Sequence, residues 1–273
     1  LSTNANWSGK IAPQDSGGFI RIDPLEGGAI IATGVSVEID RLHIQNGISP
    51  TSVSFDSLTT LQITESVTGD GALEVAGNLA LGRSPGRVTV DPDFTFQNST
   101  VTQFEINGTN EGQFDQLILK GTTLLDGNLI LTIDPQVEFS DGEVIKIIDV
   151  QGNLSGTFAG LAEGDLVATF GFFDLFISYL GGDGNDITLT VDEFGPFDWA
   201  LSSGGLFAED SAWRGGSIPV EADTMEIAPA AGGTITAENQ NLTVDTLTLL
   251  NGDSETILRF DPLSDFQITG SIL

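Results

Sequence analysis

Apolar and polar residues alternate along this chain in short runs, and each run stops within a few residues at Gly, Asn or Asp. Val35-Ser-Val37-Glu-Ile39, Leu42-His-Ile44, Val53-Ser-Phe55 and Leu61-Gln-Ile63 set the pattern. Leu73-Glu-Val75, Val88-Thr-Val90, Phe94-Thr-Phe96, Phe104-Glu-Ile106 and Leu129-Ile-Leu131-Thr-Ile133 continue it. A period of two predicts strands, and the intervening Asn-Gly and Gly-Asn pairs supply turns that need positive φ. Amphipathic helical spacing is missing throughout, and the nearest helical candidate, 201–210, is interrupted by Gly204-Gly205. The strands outnumber those of a single sandwich and recur as strand–turn units. The pattern therefore predicts an all-β chain, a parallel β-helix (β-solenoid) that is elongated, with a hairpin-rich segment from Phe139 to Thr190.

A longer period lies over the short one. At an offset of 205, Pro24 falls on Pro229, Gly27-Gly28 on Gly232-Gly233, Asp40 on Asp245 and Asn46-Gly47 on Asn251-Gly252. Phe55 meets Phe260, and Gln62-Ile63-Thr64 meets Gln267-Ile268-Thr269. One inserted residue upstream aligns Trp7-Ser8-Gly9 with Trp213-Arg214-Gly215. Apolar, turn and polar positions all match, which places a solenoid unit at 1–191, an aromatic connector at 192–205 and the start of a second copy at 206–273. Trp7, Trp199 and Trp213 are expected to pack at the repeat boundary.

Charge narrows the partners. With 9 basic and 39 acidic residues the formal net charge is −30, yet 40% of residues are apolar and the mean hydropathy is slightly positive. That is a folded acidic protein rather than an acidic tail. Its field repels nucleic acid and anionic lipid, and the nine basic residues form no cluster, so nucleic-acid binding is excluded. Cysteine is absent, which removes disulfides and thiol chemistry. No apolar run is long enough for a spanning helix, so membrane insertion of this segment is not expected. The opening Leu1-Ser2-Thr3 carries no signal peptide, as in a processed terminus or a fragment.

Gly112-Gln-Phe114-Asp115-Gln116-Leu117 with Gly121 resembles a run found in autotransporter-passenger-like β-strand repeat proteins. Asp141-Gly142, Gly156-Thr-Phe158-Ala-Gly160-Leu161 and Ile177-Ser-Tyr179-Leu-Gly181-Gly182 fit the same pattern, as does Asn6-Trp7-Ser8-Gly9. The resemblance covers about residues 71–191 and the two repeat openings. It implies an extracellular parallel β-helix in large bacterial surface chains, most of them without enzyme activity. Phe114 stands where the family usually has Tyr.

Candidate chemistry is sparse. Gly181-Gly182-Asp183-Gly184-Asn185-Asp186-Ile187-Thr188-Leu189 satisfies the calcium nonapeptide of a β-roll, in which turn carbonyls and the Asp carboxylate supply hard oxygen ligands. Roll sites are shared between successive turns and the motif occurs once, so a tight turn with Asp186 capping backbone amides competes with calcium. Asp183 and Asp186 are the first calcium candidates and Asp91 and Asp93 the second; no other cofactor is implied. Tyr179 could stack on a sugar. One histidine, His43, and no cysteine leave no set for zinc, copper or iron. Paired carboxylates facing across a cleft, as glycoside hydrolysis requires, are not indicated, and no catalytic residue is assigned. The reading is a non-enzymatic structural segment of an extracellular or cell-surface fibre, stalk or layer, self-associating by stacking. The alternatives are an adhesin or glycan-binding β-helix module, and then a polysaccharide-degrading solenoid enzyme.

Overall fold

The computed structural model describes residues 18–193, 198–214, 218 and 221–273. They fall into two compact units, Leu1–Ala168 with Leu175–Asp192, and Thr169–Asp174 with Glu193–Leu273. Trp7 lies outside the described residues.

In the first unit β1 (Phe19–Ile22) precedes five coils. The first coil holds β2 (Gly28–Ala32) and β3 (Ser36–Ile44), and the second β4 (Thr51–Phe55) and β5 (Thr60–Gly69). The third holds β6 (Ala72–Val75), β7 (Asn78–Leu81) and β8 (Arg87–Val90). The fourth holds β9 (Asp93–Phe96), β10 (Val101–Ile106) and β11 (Gln116–Leu119). The fifth holds β12 (Thr123–Leu125), β13 (Asn128–Ile133) and β14 (Val144–Val150), and β15 (Leu154–Gly156) opens the next. Strands β2 to β12 each pair in parallel with a counterpart one coil on, so the fold is a parallel β-solenoid.

Inward rows on three faces build the core. One face stacks Ala32, Phe55, Val75 and Phe96, and the next stacks Val37, Leu61, Leu79, Thr102 and Leu129. The last stacks Ile20, Leu42, Val67, Val90, Leu119 and Val150, all buried. Each inward Val, Leu or Phe contributes about 1.5–3 kcal/mol by leaving water. That row-by-row burial is what the period-two pattern encodes.

Corners are made in two ways. β3 and β5 each bend across two faces within one strand: Ile39 pairs with Ile63 but Arg41 with Ser66, so Asp40 opposes Thr64-Glu65 in a bulge. In the third coil a loop replaces the bend, and a Cβ on Gly82 would lie 2.1 Å from the Gly86 Cα, so both glycines are required for the loop to close. Longer excursions leave the ladder between β10 and β11 and between β13 and β14.

Beyond β15 come β16 (Leu166–Phe170), β17 (Phe173–Gly181) and β18 (Asp186–Glu193); β18 pairs antiparallel with β14, and β17 and β16 follow in that sheet. The hairpin-rich segment therefore begins at Leu166 rather than Phe139. The stretch between stays in the ladder because β14 and β15 still find parallel neighbours in β11 and β12.

The second unit contains a short 3-10 turn at Asp210–Ala212 and then β19 (Glu221–Ile227), β20 (Gly233–Ala237), β21 (Asn241–Leu249), β22 (Thr256–Phe260) and β23 (Asp265–Ile272). Its pairings reproduce those of the first unit at the offset of 205. Gly233↔Thr256 stands for Gly28↔Thr51, and Val244↔Ile268 for Ile39↔Ile63. Leu247↔Ile272 stands for Leu42↔Val67, and Thr224↔Thr246 for Phe19↔Arg41. The bulge recurs as well, between Val244 and Thr246. Among the described residues no helix is long and apolar enough to cross a membrane.

Candidate functional site

The most elaborated local structure is the turn system that repeats with the coils. Asn46 Oδ1 accepts the Thr51 amide at 2.6 Å, and Asn251 Oδ1 accepts the Thr256 amide at 2.8 Å. Asp56 accepts the Gly34 amide at 3.0 Å and the Thr59 hydroxyl at 2.7 Å; Asp261 accepts the Asn239 amide at 3.0 Å and the Ser264 hydroxyl at 2.6 Å. These bonds favour the ionised form and hold both carboxyls below the usual range: the Gly34 amide leads at Asp56, the Ser264 hydroxyl at Asp261. Gly34 and Asn239 both have positive φ, 58° and 52°. The buried hydroxyls of Thr51 and Thr256 lack a hydrogen-bond partner in both copies. Most turn carboxylates here organise backbone amides, a structural use of acidic residues.

The two aspartates singled out in the nonapeptide differ in burial and partners. Asp183 is exposed on the turn closed by the Gly184 amide to the Gly181 carbonyl at 2.8 Å. Asp186 is buried, accepting the Val150 amide at 2.8 Å and pairing with Lys146 Nζ at 3.1 Å. Lys146 Nζ also donates to Asp149 at 2.7 Å, and this bond leads in raising the lysine's pKa. Asp186 thus caps an amide of β14 and pairs with the Lys146 ammonium. The partner sits forty residues upstream, where no spacing rule could find it. Asp91 lies 2.8 Å from Lys120 Nζ, an ion-pair distance without hydrogen-bond alignment, and Asp93 accepts the Thr122 amide at 2.7 Å. Among the described residues no group of three or more His, Cys, Asp or Glu side chains gathers where an ion could sit.

Tyr179 is 7% exposed, its hydroxyl donates to the Leu161 carbonyl at 3.0 Å and accepts the Phe158 amide at 3.1 Å, and Phe158 is itself buried. Held this way, the ring fastens the segment after β15. Trp199 and Trp213 meet edge to face at 5.1 Å, and Phe207 meets Trp213 at 4.8 Å. The indole of Trp199 donates to Ser203 O and that of Trp213 to Phe207 O. Both tryptophans belong to the core of the second unit with Met225, Ile227 and Ile235. Residues 204–207 also bond to the free edge of β20, Gly205 to Thr234 and Phe207 to Thr236, so this stretch covers the first coil of that unit. His43 shares a 3.0 Å hydrogen bond with Thr68 on the next coil.

Asp115, missed as a special residue, is the most perturbed carboxyl. It is 2% exposed and accepts the amides of Gly86 at 2.6 Å and Glu105 at 2.9 Å, yet burial pushes its pKa up to about 6. A shallow cleft of about 270 Å³ lies beside it, lined by Pro85, Arg87, Glu111 and Phe114 among others. A carboxyl of raised pKa at a cleft is a common mark of acid catalysis. Here both oxygens face backbone amides, and the charged groups of the cleft, Arg87 and Glu111, are paired to each other at 2.7 Å. The arrangement pins the excursion between β10 and β11 onto the coil before it, and that is the structural use of Phe114-Asp115-Gln116. Gln116 completes it by donating to the Lys146 carbonyl at 3.0 Å.

No protein-family model matches the sequence, and comparison with curated proteins gives no significant match.

Proposed function

We propose that the chain is a non-enzymatic structural segment of an extracellular fibre, stalk or surface layer, built by repeating one solenoid unit. In this reading 1–191 is one unit, 192–205 the connector and 206–273 the opening of the next. The observation that carries it is the recurrence of strand register, bulge and turn hydrogen bonds at one fixed offset. A stackable scaffold needs the same coil again, each repeat burying its faces against its neighbours. The likeness to autotransporter-passenger-like repeat proteins supports a bacterial surface location. A net charge of −30 keeps such an apolar-cored object dispersed.

The test is immunogold electron microscopy of intact source cells alongside negative-stain images of the purified chain. Label on the outer surface, with periodic fibres or layers, is the expected result. Cytosolic label, or release of oligosaccharides from a polysaccharide panel, would overturn it. Saturable binding on a glycan array would transfer the reading to an adhesin.

A further inference from the structure

Three Asn-Gly steps occur in the chain, at Asn46-Gly47, Asn107-Gly108 and Asn251-Gly252, and the fold holds them differently. An asparagine followed by glycine leaves its side-chain carbonyl carbon open to the next backbone nitrogen, because no Cβ on the following residue stands in the way. In two of the three steps the coil opposes that approach. Asn46 Oδ1 accepts the Thr51 amide at 2.6 Å, and its Nδ2 donates to Asp70 O at 2.6 Å. Asn251 Oδ1 accepts the Thr256 amide at 2.8 Å. Their glycines are wedged as well. A Cβ on Gly47 would lie 2.2 Å from Pro24 O and one on Gly252 2.2 Å from Pro229 O, both backbone atoms of the turn one coil earlier. Asn107 stands elsewhere. It begins the excursion between β10 and β11 with its side chain exposed, and what ties it down is its backbone amide, which donates to Gln113 O at 2.8 Å. The atoms nearest a Cβ on Gly108 belong to the Gln113 side chain, which is free to turn aside as a backbone is not.

We propose that Asn107 is a site of spontaneous covalent modification, at which the Gly108 nitrogen closes on the Asn107 side chain and the residue becomes aspartate or isoaspartate. The step balances without an enzyme. The Gly108 amide nitrogen gives its proton to solvent base and bonds to Asn107 Cγ; the Cγ–Nδ2 bond breaks, and ammonia leaves with a proton from water. The cyclic imide then takes up water. Opening at Cγ restores the backbone and leaves an aspartate, whereas opening at the backbone carbonyl routes the chain through Cβ and Cγ as isoaspartate. Either product adds a negative charge at the root of the excursion that Asp115 pins through the Gly86 and Glu105 amides, and isoaspartate also lengthens the backbone there. The excursion is thus the part that ages, while the turn at Asn46, which sets β4 on its coil, is spared.

The experiment incubates the full chain in mildly alkaline buffer and follows the three steps by peptide mapping and mass spectrometry, which reads the replacement of NH2 by OH. The expected result is conversion of Asn107 at least about tenfold faster than that of Asn46, and faster than that of Asn251, because ordered turns must open locally before they react. Aspartate and isoaspartate should both appear at residue 107. Gly108→Ala should slow the conversion of Asn107 and leave that of Asn46 unchanged. In denaturant the three rates should converge, since the bonds and wedges that separate them are gone. Conversion of Asn107 no faster than that of Asn46 or Asn251 overturns the proposal. So does a product that is aspartate alone, since water would then have attacked the side chain directly. A ranking that persists unchanged in denaturant overturns it too, because flanking sequence rather than the fold would set the rates. None of these outcomes moves the label in the microscopy above, so the two readings fail separately.

Discussion

Phe55 and Phe260 stand at the same step of the same coil in the two copies, yet Phe55 is 1% exposed and Phe260 remains partly open. Everything local to that step is shared: the strand pairing, the bulge, the Asn cap and the positive-φ turn. What differs is the neighbour: Phe55 has the third coil over it, and among the described residues no strand follows β22 beside Phe260. The coil's geometry therefore resides in its own residues, and its burial in the residues of the next. Stability in such a stack is a sum of intrinsic and interface terms, and the two copies separate them within one molecule.

Substitution at this pair should show the largest contrast. Phe55→Ala is expected to destabilise the first unit by about 3–5 kcal/mol, whereas Phe260→Ala should lower the second by about 1–2 kcal/mol, since much of its ring is not removed from water. Denaturant unfolding read by hydrogen exchange in each unit would measure both, and equal losses would break the comparison. A turn shared by the copies should instead respond equally. A Cβ on Gly27 would lie 2.0 Å from Ser49 O, and one on Gly232 2.1 Å from Ser254 O, with φ of +79° and +71°. Gly27→Ala and Gly232→Ala should each cost about 2–3 kcal/mol of backbone strain, matching within error in the same measurement.

Smaller still are the hydroxyls below the turn carboxylates. Thr59 Oγ1 donates to Asp56 and Ser264 Oγ to Asp261, and removing either by Thr59→Ala or Ser264→Ala should cost about 1 kcal/mol. A difference of twofold or more between the copies would mean that the turn, too, depends on its neighbour.

Acid acts on the turn carboxyls in two opposite senses. Asp115 belongs to the excursion between β10 and β11. Its folded pKa of about 6 exceeds the ordinary 3.8, so the folded state binds the proton more readily between those values. The contribution of protonated Asp115 is full below about pH 3.8 and is lost as pH rises through about 6. Asp56 and Asp261, held low, act in reverse and contribute above the ordinary carboxylate range, fading as pH falls below it. Carboxyl-carbon NMR titration should find Asp115 near 6 with Asp56 and Asp261 shifted downward together; an ordinary Asp115 would refute its burial.

Strands and repeat were readable from the sequence because both are periodic. Val35-Ser-Val37-Glu-Ile39 announces its inward side, and Asn46-Gly47 returns as Asn251-Gly252 with the same hydrogen bond to the following strand. What escaped is long-range and aperiodic. Nothing near Asp186 names Lys146 as its partner, and an aromatic such as Tyr179 looks the same in sequence whether it faces solvent or fastens a loop. Asp115 reads as one more turn carboxylate until the fold delivers two amides to it. The aperiodic excursions hid where the hairpins begin, because a longer connection does not show whether its strands remain in the ladder.

The equality of register between the copies is the central claim, and engineered disulfides test it against a background free of native cysteine. Ile31 pairs with Ser54 in the first copy, and Thr236 pairs with Arg259 in the second. Paired Cys substitutions at Ile31 and Ser54, and separately at Thr236 and Arg259, should cross-link on mild oxidation to similar extents. Pairs shifted by two residues, Ile31 with Ser52 and Thr236 with Ile257, should not. Cross-linking of the first pair but not the second, or of shifted pairs as readily as matched ones, would contradict a coil repeated in register.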